Sequence, residues 1–404
     1  MGIRSTGFSW VAVALMLGAA AAASAQEVLK LGEGETLTVS GFINVTLFTD
    51  RSRFGNFGQG QNAEWAAQTE LSTDKLFTDG DIRNTRISFD FKAQPVLGTW
   101  APRGVLELDL FGGQDLPPFG DEQPRLRGRL AYADLSNGRT TLRIGQYWSP
   151  MFGEVPVSLS HLAFPLGYGA AGMVGWRFPG VFLYQELLAA DGPATAQLQL
   201  AAFEGSGPPA SAEDALPVNA IGSGEASGLP QLEARLNFGR KSETLRWGAY
   251  LVGHADWKDT TGTGVEGDNL TAWGFEAGGN VAPGRLTVHG NYYYGKALGQ
   301  QFAHITQQGN VRGWGAWGQA GYDFTPSWSL WAFFGIDDPD ETRFAKDNPT
   351  LPALARQVNR DADALLRFKA GRYALGLEWF RAMTRWNTGR TDADQFALGV
   401  MYSL

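Results

Sequence analysis

Arg125-Leu-Arg-Gly-Arg-Leu-Ala-Tyr-Ala-Asp-Leu-Ser-Asn-Gly-Arg-Thr-Thr-Leu-Arg-Ile-Gly-Gln146 is the stretch of sequence that decides the fold. It alternates arginines with apolar residues on both sides of a tight Ser-Asn-Gly turn. A period of two is the signature of a strand whose two faces meet different surroundings. Arginines this close to Leu130 and Leu142 do not fit a dry core, because burying an unpaired charge is costly. The stretch therefore predicts a hairpin with one apolar face and one face in water.

Segments of the same kind recur along the chain and predict sixteen strands. We place them at 37–50, 82–94, 103–113, 125–135, 139–147, 172–188, 194–205, 229–239, 244–257, 269–281, 285–297, 312–324, 328–337, 361–370, 373–386 and 395–404. Tight turns fall at 136–138, 282–284, 325–327 and 371–372. They alternate along the chain with long loops at 51–81, 148–171, 206–228, 258–268, 298–311, 338–360 and 387–394. Short turns at one end, long loops at the other and an even strand count predict an all-β, up-and-down antiparallel transmembrane barrel.

A soluble sandwich or jelly roll is the alternative fold for so many alternating strands. The last segment favours the membrane barrel, because it carries an apolar residue at every second position up to the end of the chain: Phe396, Leu398, Val400, Tyr402 and Leu404. In a barrel this strand closes the cylinder and faces lipid. Tryptophans near strand ends, among them Trp247 and Trp386, fit the aromatic girdles at the two membrane surfaces.

The first 25 residues have the pattern of a secretory signal peptide. A basic Arg4 precedes the apolar run 10–17, and Ala23-Ser-Ala25 is a small-residue cleavage site. We therefore expect residues 1–25 to be removed and residues 26–404 to form one barrel domain in the outer membrane, in contact with its lipid and lipopolysaccharide. The mature chain of 379 residues has no apolar run long enough for a membrane helix.

Composition narrows the possible functions. The sequence has no cysteine, which excludes disulfides and cysteine-ligated metals. Its formal net charge of −8, about −9 without Arg4, argues against a nucleic-acid partner. Sixteen strands enclose a lumen too wide for side chains to fill, which points to a channel.

The direction of each strand's side chains follows from the membrane, because a charge on the lipid face near the midplane costs about 2–4 kcal/mol. Apolar positions are therefore expected outside: Ile87, Phe89, Phe91, Leu106, Leu108, Leu110, Leu126, Leu130, Tyr132, Leu142, Ile144, Val174, Trp176 and Phe178. The alternating charged positions are then expected in the lumen: Arg86, Glu107, Asp109, Arg125, Arg127, Arg129, Arg143 and Arg177. The highest density of positive charge falls on this first part of the wall.

The loop at 148–171 differs from the other long loops, since it is apolar and its only acid is Glu154. An apolar loop avoids water, and in a barrel the place to pack is the inner wall. We therefore expect this third long loop to fold inward and to bring Glu154, Ser158, Ser160 and His161 near the arginines. A narrowed lumen with a charged wall would filter solutes by size and charge.

Three motifs, taken in order before this loop, resemble the Gram-negative diffusion porins: Asn84-Thr-Arg-Ile-Ser-Phe-Asp-Phe-Lys92, Gly128-Arg-Leu-Ala-Tyr-Ala-Asp-Leu135 and Leu142-Arg-Ile-Gly-Gln-Tyr-Trp-Ser-Pro150. The resemblance implies a sixteen-stranded homotrimer in which Arg86 and Arg129 match the constriction arginines. The loop lacks the cluster of acids that is usual in that family. Leu142–Phe152 with Ala171–Val181 is further similar to the DcaP-like trimeric porins, which favour small organic anions; residues 26–36 are too short for the coiled coil that those usually carry.

The sequence thus predicts passive diffusion of small hydrophilic solutes with an anion preference. The candidate constriction and solute-binding residues are Arg86, Arg127, Arg129, Arg143, Arg177, Glu154, Ser160 and His161. Alternatives are a substrate-specific channel for small organic anions and a structural or adhesin barrel. Catalysis is not expected, because no orienting group accompanies the serines and His161 of the loop. No metal site or cofactor is expected either.

Overall fold

A computed structural model describes residues 28–55, 62–68, 74–113, 123–188, 192–207, 221–242, 244–260, 269–299, 309–340 and 356–404. The predicted signal peptide lies outside these ranges, as do parts of the long loops. Helix is rare in the described ranges, where one turn, α1, spans Ser223–Ala226. Within them, no helix has the length and apolar character needed to cross a membrane.

The described residues contain eighteen antiparallel strands. They are β1 (Val28–Gly32), β2 (Glu35–Arg51), β3 (Leu76–Asp81), β4 (Arg86–Lys92), β5 (Ala101–Asp109), β6 (Arg127–Ser136), β7 (Thr140–Trp148), β8 (Arg177–Glu186), β9 (Ala194–Phe203), β10 (Gln231–Lys241), β11 (Leu245–Asp259), β12 (Asn269–Pro283), β13 (Leu286–Lys296), β14 (Arg312–Asp323), β15 (Trp328–Pro339), β16 (Arg356–Ala370), β17 (Tyr373–Trp386) and β18 (Gly389–Ser403).

The strands close into a barrel with sixteen positions. From β4 to β18, each strand pairs with the next one along the chain, and β18 pairs with β2. Strands β3 and β4 pair with successive parts of the same edge of β2, so together they fill one position. Strand β1 adds a short hairpin at the start of β2. The predicted barrel and its sixteen strand positions are confirmed; β1 and β3 were not predicted.

The two faces of the sheet have opposite character. Large apolar side chains are exposed on the outer face, with Leu251, Leu377 and Phe396 each 59% exposed. Alternate residues such as Asn44 and Glu378 point inward and are buried. The outer face therefore suits lipid, and the charged and polar residues are collected inside, as the period of two predicted.

The predicted outward direction is wrong for Leu130 and Tyr132. Between β5 and β6 the register shifts: Leu108 lies opposite Gly128, but Glu107 lies opposite Leu130, so Arg129 is an extra residue on β6. An extra residue of this kind is a β-bulge, and it reverses which face the following side chains occupy. Leu130 is consequently only 5% exposed and packs inside the barrel.

The predicted outward direction is also wrong for Val174, Trp176 and Phe178. Strand β8 begins at Arg177, so residues 172–176 still belong to the preceding loop. Val174 is fully buried there, and the ring of Phe178 stacks inside on Phe203, with 5.1 Å between the ring centroids. Apolar residues in this stretch serve an inner core rather than the lipid face.

The predicted long loop at 387–394 is likewise wrong, because β17 ends at Trp386 and β18 begins at Gly389. The charges that made this stretch look like a loop pair across the two strands instead. Arg381 lies 2.8 Å from Asp392 and 3.2 Å from Asp394. Cross-strand pairs of opposite charge stabilise a sheet where it meets water.

Substituting Leu377 by arginine tests the assignment of the lipid face. Leu377→Arg places a charge near the middle of β17 on the outer face, and we expect the free energy of unfolding in lipid vesicles to fall by about 2–4 kcal/mol. Tyr373→Arg is the matched control, because Tyr373 is 60% exposed at the end of the same strand. There the cost should be only about 0–1 kcal/mol. Equal losses in urea titrations of the two variants would contradict the assignment.

Candidate functional site

Residues 149–176, which we call the long inner segment, contact strands on several sides of the barrel. They form hydrogen bonds with the side chains of Glu233 on β10, Gln319 on β14 and Asn44 on β2. These three strands are well separated around the ring. A segment that bonds inward-facing side chains on separate walls must run between them, so we infer that it crosses the interior.

Glu378 on β17 is the strongest anchor of the long inner segment. Its carboxylate accepts hydrogen bonds from Ser158 Oγ at 2.5 Å, from the Leu159 amide at 3.1 Å and from the Ser160 amide at 2.9 Å. Hydrogen bonds to a buried charged acceptor are stronger than those between neutral groups. Ser160 is fully buried, so the structure gives this predicted solute-binding residue a place in the anchor rather than at a water-filled surface.

His161 is also part of the packing of the segment. Its Nδ1 contacts Ser160 Oγ at 2.9 Å, and its Nε2 donates to the carbonyl oxygen of Ala63 at 2.8 Å. The imidazole is 1% exposed, and burial lowers the pKa of His161, which favours the neutral form. The structure therefore does not place this predicted solute-binding residue in the lumenal water. Among the residues that the structure describes, no group of three or more His, Asp or Glu side chains is arranged to hold a metal ion.

Glu154 lies far around the ring from the arginines that were predicted to face it. It accepts a hydrogen bond from Asn280 on β12 at 2.7 Å and lies 3.7 Å from His289 on β13. Burial raises the pKa of Glu154, but the hydrogen bonds from these two side chains outweigh it, so the pKa is below its ordinary value. The acid stays ionised beside the wall opposite β4–β7, with 16% of its side chain exposed.

A second part of the chain, residues 62–67, packs against the long inner segment and was not predicted to do so. We call it the short inner segment. Its Asn62 amide donates to Ser160 O at 3.2 Å, and its Ala66 amide donates to Thr384 Oγ1 on β17 at 2.9 Å. Asn62, Ala63 and Glu64 are fully buried. The stretch Ala63-Glu-Trp-Ala-Ala67, with four apolar residues of five in an otherwise polar loop, was the signal that could have revealed it.

Three of the predicted arginines meet two carboxylates on the wall formed by β4, β5 and β6. Arg129 Nε lies 2.8 Å from Glu107 Oε1, and Arg129 Nη1 lies 2.8 Å from Asp109 Oδ2. Arg127 binds both oxygens of Asp109, at 3.0 and 2.7 Å. Arg86 Nε is 3.8 Å from Glu107 Oε1, and Arg86 Nη2 donates to Leu162 O of the long inner segment at 2.8 Å. We call these groups, with Arg177, the arginine cluster.

Arg177 joins the cluster through aromatic rings. Its guanidinium carbon lies 4.8 Å from the ring centroid of Trp148 and 4.3 Å from that of Trp176. The guanidinium carbon of Arg129 also lies 5.6 Å from the ring centroid of Trp148. The Nε and Nη1 of Arg177 are buried and have no hydrogen-bond partner among the described residues. Cation–π contacts of this kind hold a buried guanidinium without neutralising it. Among the described residues the cluster therefore contains four arginines and two acids, an excess of two positive charges.

Arg143 is separate from this cluster. Its Nε and Nη2 bind the two oxygens of Asp134 at 2.7 and 2.8 Å, and the guanidinium carbon lies 3.9 and 3.8 Å from the ring centroids of Tyr132 and Tyr147. Only 1% of Arg143 is exposed. The structure therefore gives Arg143, predicted for the constriction, a neutralised and enclosed position in which it holds β6 to β7.

Solved structures with a similar fold include several outer-membrane proteins. The outer membrane channel DcaP of Acinetobacter baumannii is 18% identical, with a TM-score of 0.72 over 93% of this chain and 99% of DcaP. An anion-selective porin from Comamonas acidovorans is 10% identical, with a TM-score of 0.52 over 92% of this chain and 100% of that one. The trimer form of OmpT, an outer membrane protein of Vibrio cholerae, is 12% identical, with a TM-score of 0.52 over 92% of this chain and 100% of OmpT. No protein-family model and no curated protein sequence matches the chain.

Removing the carboxylate of Glu378 tests how the long inner segment is held. In Glu378→Ala, the amides of Leu159 and Ser160 lose a charged acceptor, and a bond of that kind contributes about 1.5–3 kcal/mol. We expect their hydrogen exchange, followed by mass spectrometry, to become roughly ten- to a hundredfold faster. Gln197→Ala on β9 is the control, because Gln197 bonds only side chains of β8 and β9 in the part of the chain described. Unchanged exchange in Glu378→Ala would show that the segment is held elsewhere.

Proposed function

We propose that the protein is an outer-membrane porin, a water-filled channel through which small hydrophilic solutes diffuse passively, with a preference for anions. The closed barrel with an apolar outer face supports a membrane channel, and the likeness to DcaP and to an anion-selective porin agrees with it. The exposed apolar residues are the proposed contact with outer-membrane lipid and lipopolysaccharide. A homotrimer is part of the proposal and is supported by the trimeric OmpT structure.

The observation that carries the anion preference is the excess of positive charge in the arginine cluster. Arg86, Arg127, Arg129 and Arg177 outnumber Glu107 and Asp109 on one wall. In a narrow passage with low-dielectric walls, a surplus of one sign raises the local concentration of the opposite ion. Glu154 on the far wall has the opposite charge, so the field runs across the lumen. This arrangement attracts anions and orients solutes that carry separated charges.

A channel specific for small organic anions is the second candidate, and the aromatic rings in the cluster favour it. Phe164 lies 5.2 Å from the guanidinium carbon of Arg127, and its ring stacks on that of Trp176, with 5.2 Å between the centroids. Apolar rings beside cations fit a solute that has both a carboxylate and an apolar part. A specific channel would be blocked by micromolar to millimolar solute in bilayer recordings, whereas a general porin would not.

Reversal potentials in a potassium chloride gradient across a lipid bilayer test the proposed selectivity. We expect chloride preference in the wild type and a loss of most of it in Arg86→Ala/Arg129→Ala, because that change leaves two arginines facing two acids. Arg51→Ala/Arg390→Ala is the matched control: it removes the same charge from side chains that are 57% and 60% exposed outside the cluster. Cation preference in the wild type, or equal shifts in both variants, would contradict the assignment.

A further inference from the structure

The two carboxylates of β5 differ in how they meet the arginines. Asp109 has no exposed side-chain surface and accepts hydrogen bonds from Arg127 and Arg129 at 2.7–3.0 Å. Glu107 is 16% exposed and accepts one hydrogen bond, from Arg129. Its side chain is thus partly accessible, as are those of Arg86 at 15% and Arg127 at 20%, so its charge is not fully enclosed.

The arginines differ in the same way. Arg127 and Arg129 are held by hydrogen-bonded carboxylates, which cancel most of their charge at a distance. Arg86 has no such bond to an acid, since its nearest acid, Glu107, is 3.8 Å away, and its Nη2 binds a carbonyl group. Arg177 has no acid within 4.0 Å in the described residues. Arg86 and Arg177 are thus the two arginines of the cluster that donate no hydrogen bond to an acid in the described residues, so their charge is the least compensated.

We propose that Glu107 is the residue that limits the anion preference of the channel. Its carboxylate lies 2.8 Å from Arg129 and 3.8 Å from Arg86, so its negative charge weakens the positive field of this wall. This inference rests on the proposed porin function and names the residue that regulates its selectivity. The β-bulge at Arg129 makes the arrangement, because it adds an inward arginine between Asp109 and Glu107.

The expected effect follows from Coulomb's law. One unit charge at about 6 Å from an ion in water changes the population of that ion roughly threefold. Removing the charge of Glu107 raises the net charge of the cluster from +2 to +3. The local population of an anion should therefore rise by this factor. Glutamine keeps the size of the side chain and an oxygen that accepts from Arg129, so the wall stays assembled.

Glu107→Gln is the test, measured as the chloride-to-potassium permeability ratio in a salt gradient across a planar bilayer. We expect the ratio to rise roughly threefold over the wild type. Asp90→Asn is the matched control, because Asp90 is also a lumenal acid held by one arginine, Arg103 at 2.9 Å, with a side-chain exposure of 21%. It lies outside the cluster and should change the ratio much less.

A second variant keeps the test decisive if Glu107→Gln does not assemble. Arg177→Gln removes one of the two arginine charges that have no hydrogen-bonded acid in the described residues, and it should lower the ratio by a similar factor. An unchanged or lowered ratio in Glu107→Gln, an equal rise in Asp90→Asn, or an unchanged ratio in Arg177→Gln would overturn the role of Glu107. A wild-type channel that prefers potassium, or that gives no conductance, would instead contradict the proposed function.

Discussion

The closure of the sheet between β18 and β2 is the constraint on which the rest of the structure depends. Residues 394–403 pair with residues 42–51, which leaves neither strand with an open edge at that point. A bilayer offers no water to unpaired backbone groups, so a sheet can cross it only as a closed ring. Closure also gives every strand one face toward lipid and one toward the interior. Charges that would be costly outside are therefore collected inside.

The interior that results is too wide for strand side chains alone, and two inner segments bond to its inward-facing polar side chains. Their buried amides are satisfied by specific polar groups of the wall, such as the carboxylate of Glu378 and the amide of Gln319, whose oxygen and nitrogen both bind Val157. An unpaired amide in this place would be costly, so these few side chains decide where the segments lie.

The register of β4, β5 and β6 determines which charged side chains are neighbours in the arginine cluster. Pairing of β4, β5 and β6 brings Arg86, Asp109 and Arg127 side by side, and the bulge adds Arg129. The acids fix the positions of two arginines and cancel much of their charge, while the rings of tryptophans hold Arg177 without cancelling it. The net charge of the cluster is the small difference between these terms. A single charge on this wall is therefore a large fraction of the net charge of the cluster.

The sequence by itself determined the barrel, its sixteen strand positions and the inward direction of Arg86, Arg127 and Arg129, because a period of two is a property of each strand taken alone. It also identified the loop before β8 as apolar. It failed for Leu130 and Tyr132, since the bulge depends on how β6 meets β5 and leaves no mark in the alternation of one strand.

The tertiary structure alone decided which predicted residues meet. Ser158 and Glu378 are 220 residues apart, and Asn359 binds the carbonyl of Glu64 from 295 residues away. No local pattern encodes such contacts, because they depend on where two distant segments lie once the ring has closed. The surroundings of Arg143 were also decided by the tertiary structure. The bulge turns Tyr132 to the inner face, where it and Tyr147 enclose the guanidinium group. Alternation along a strand specifies a face, but only the closed barrel specifies the neighbours on that face.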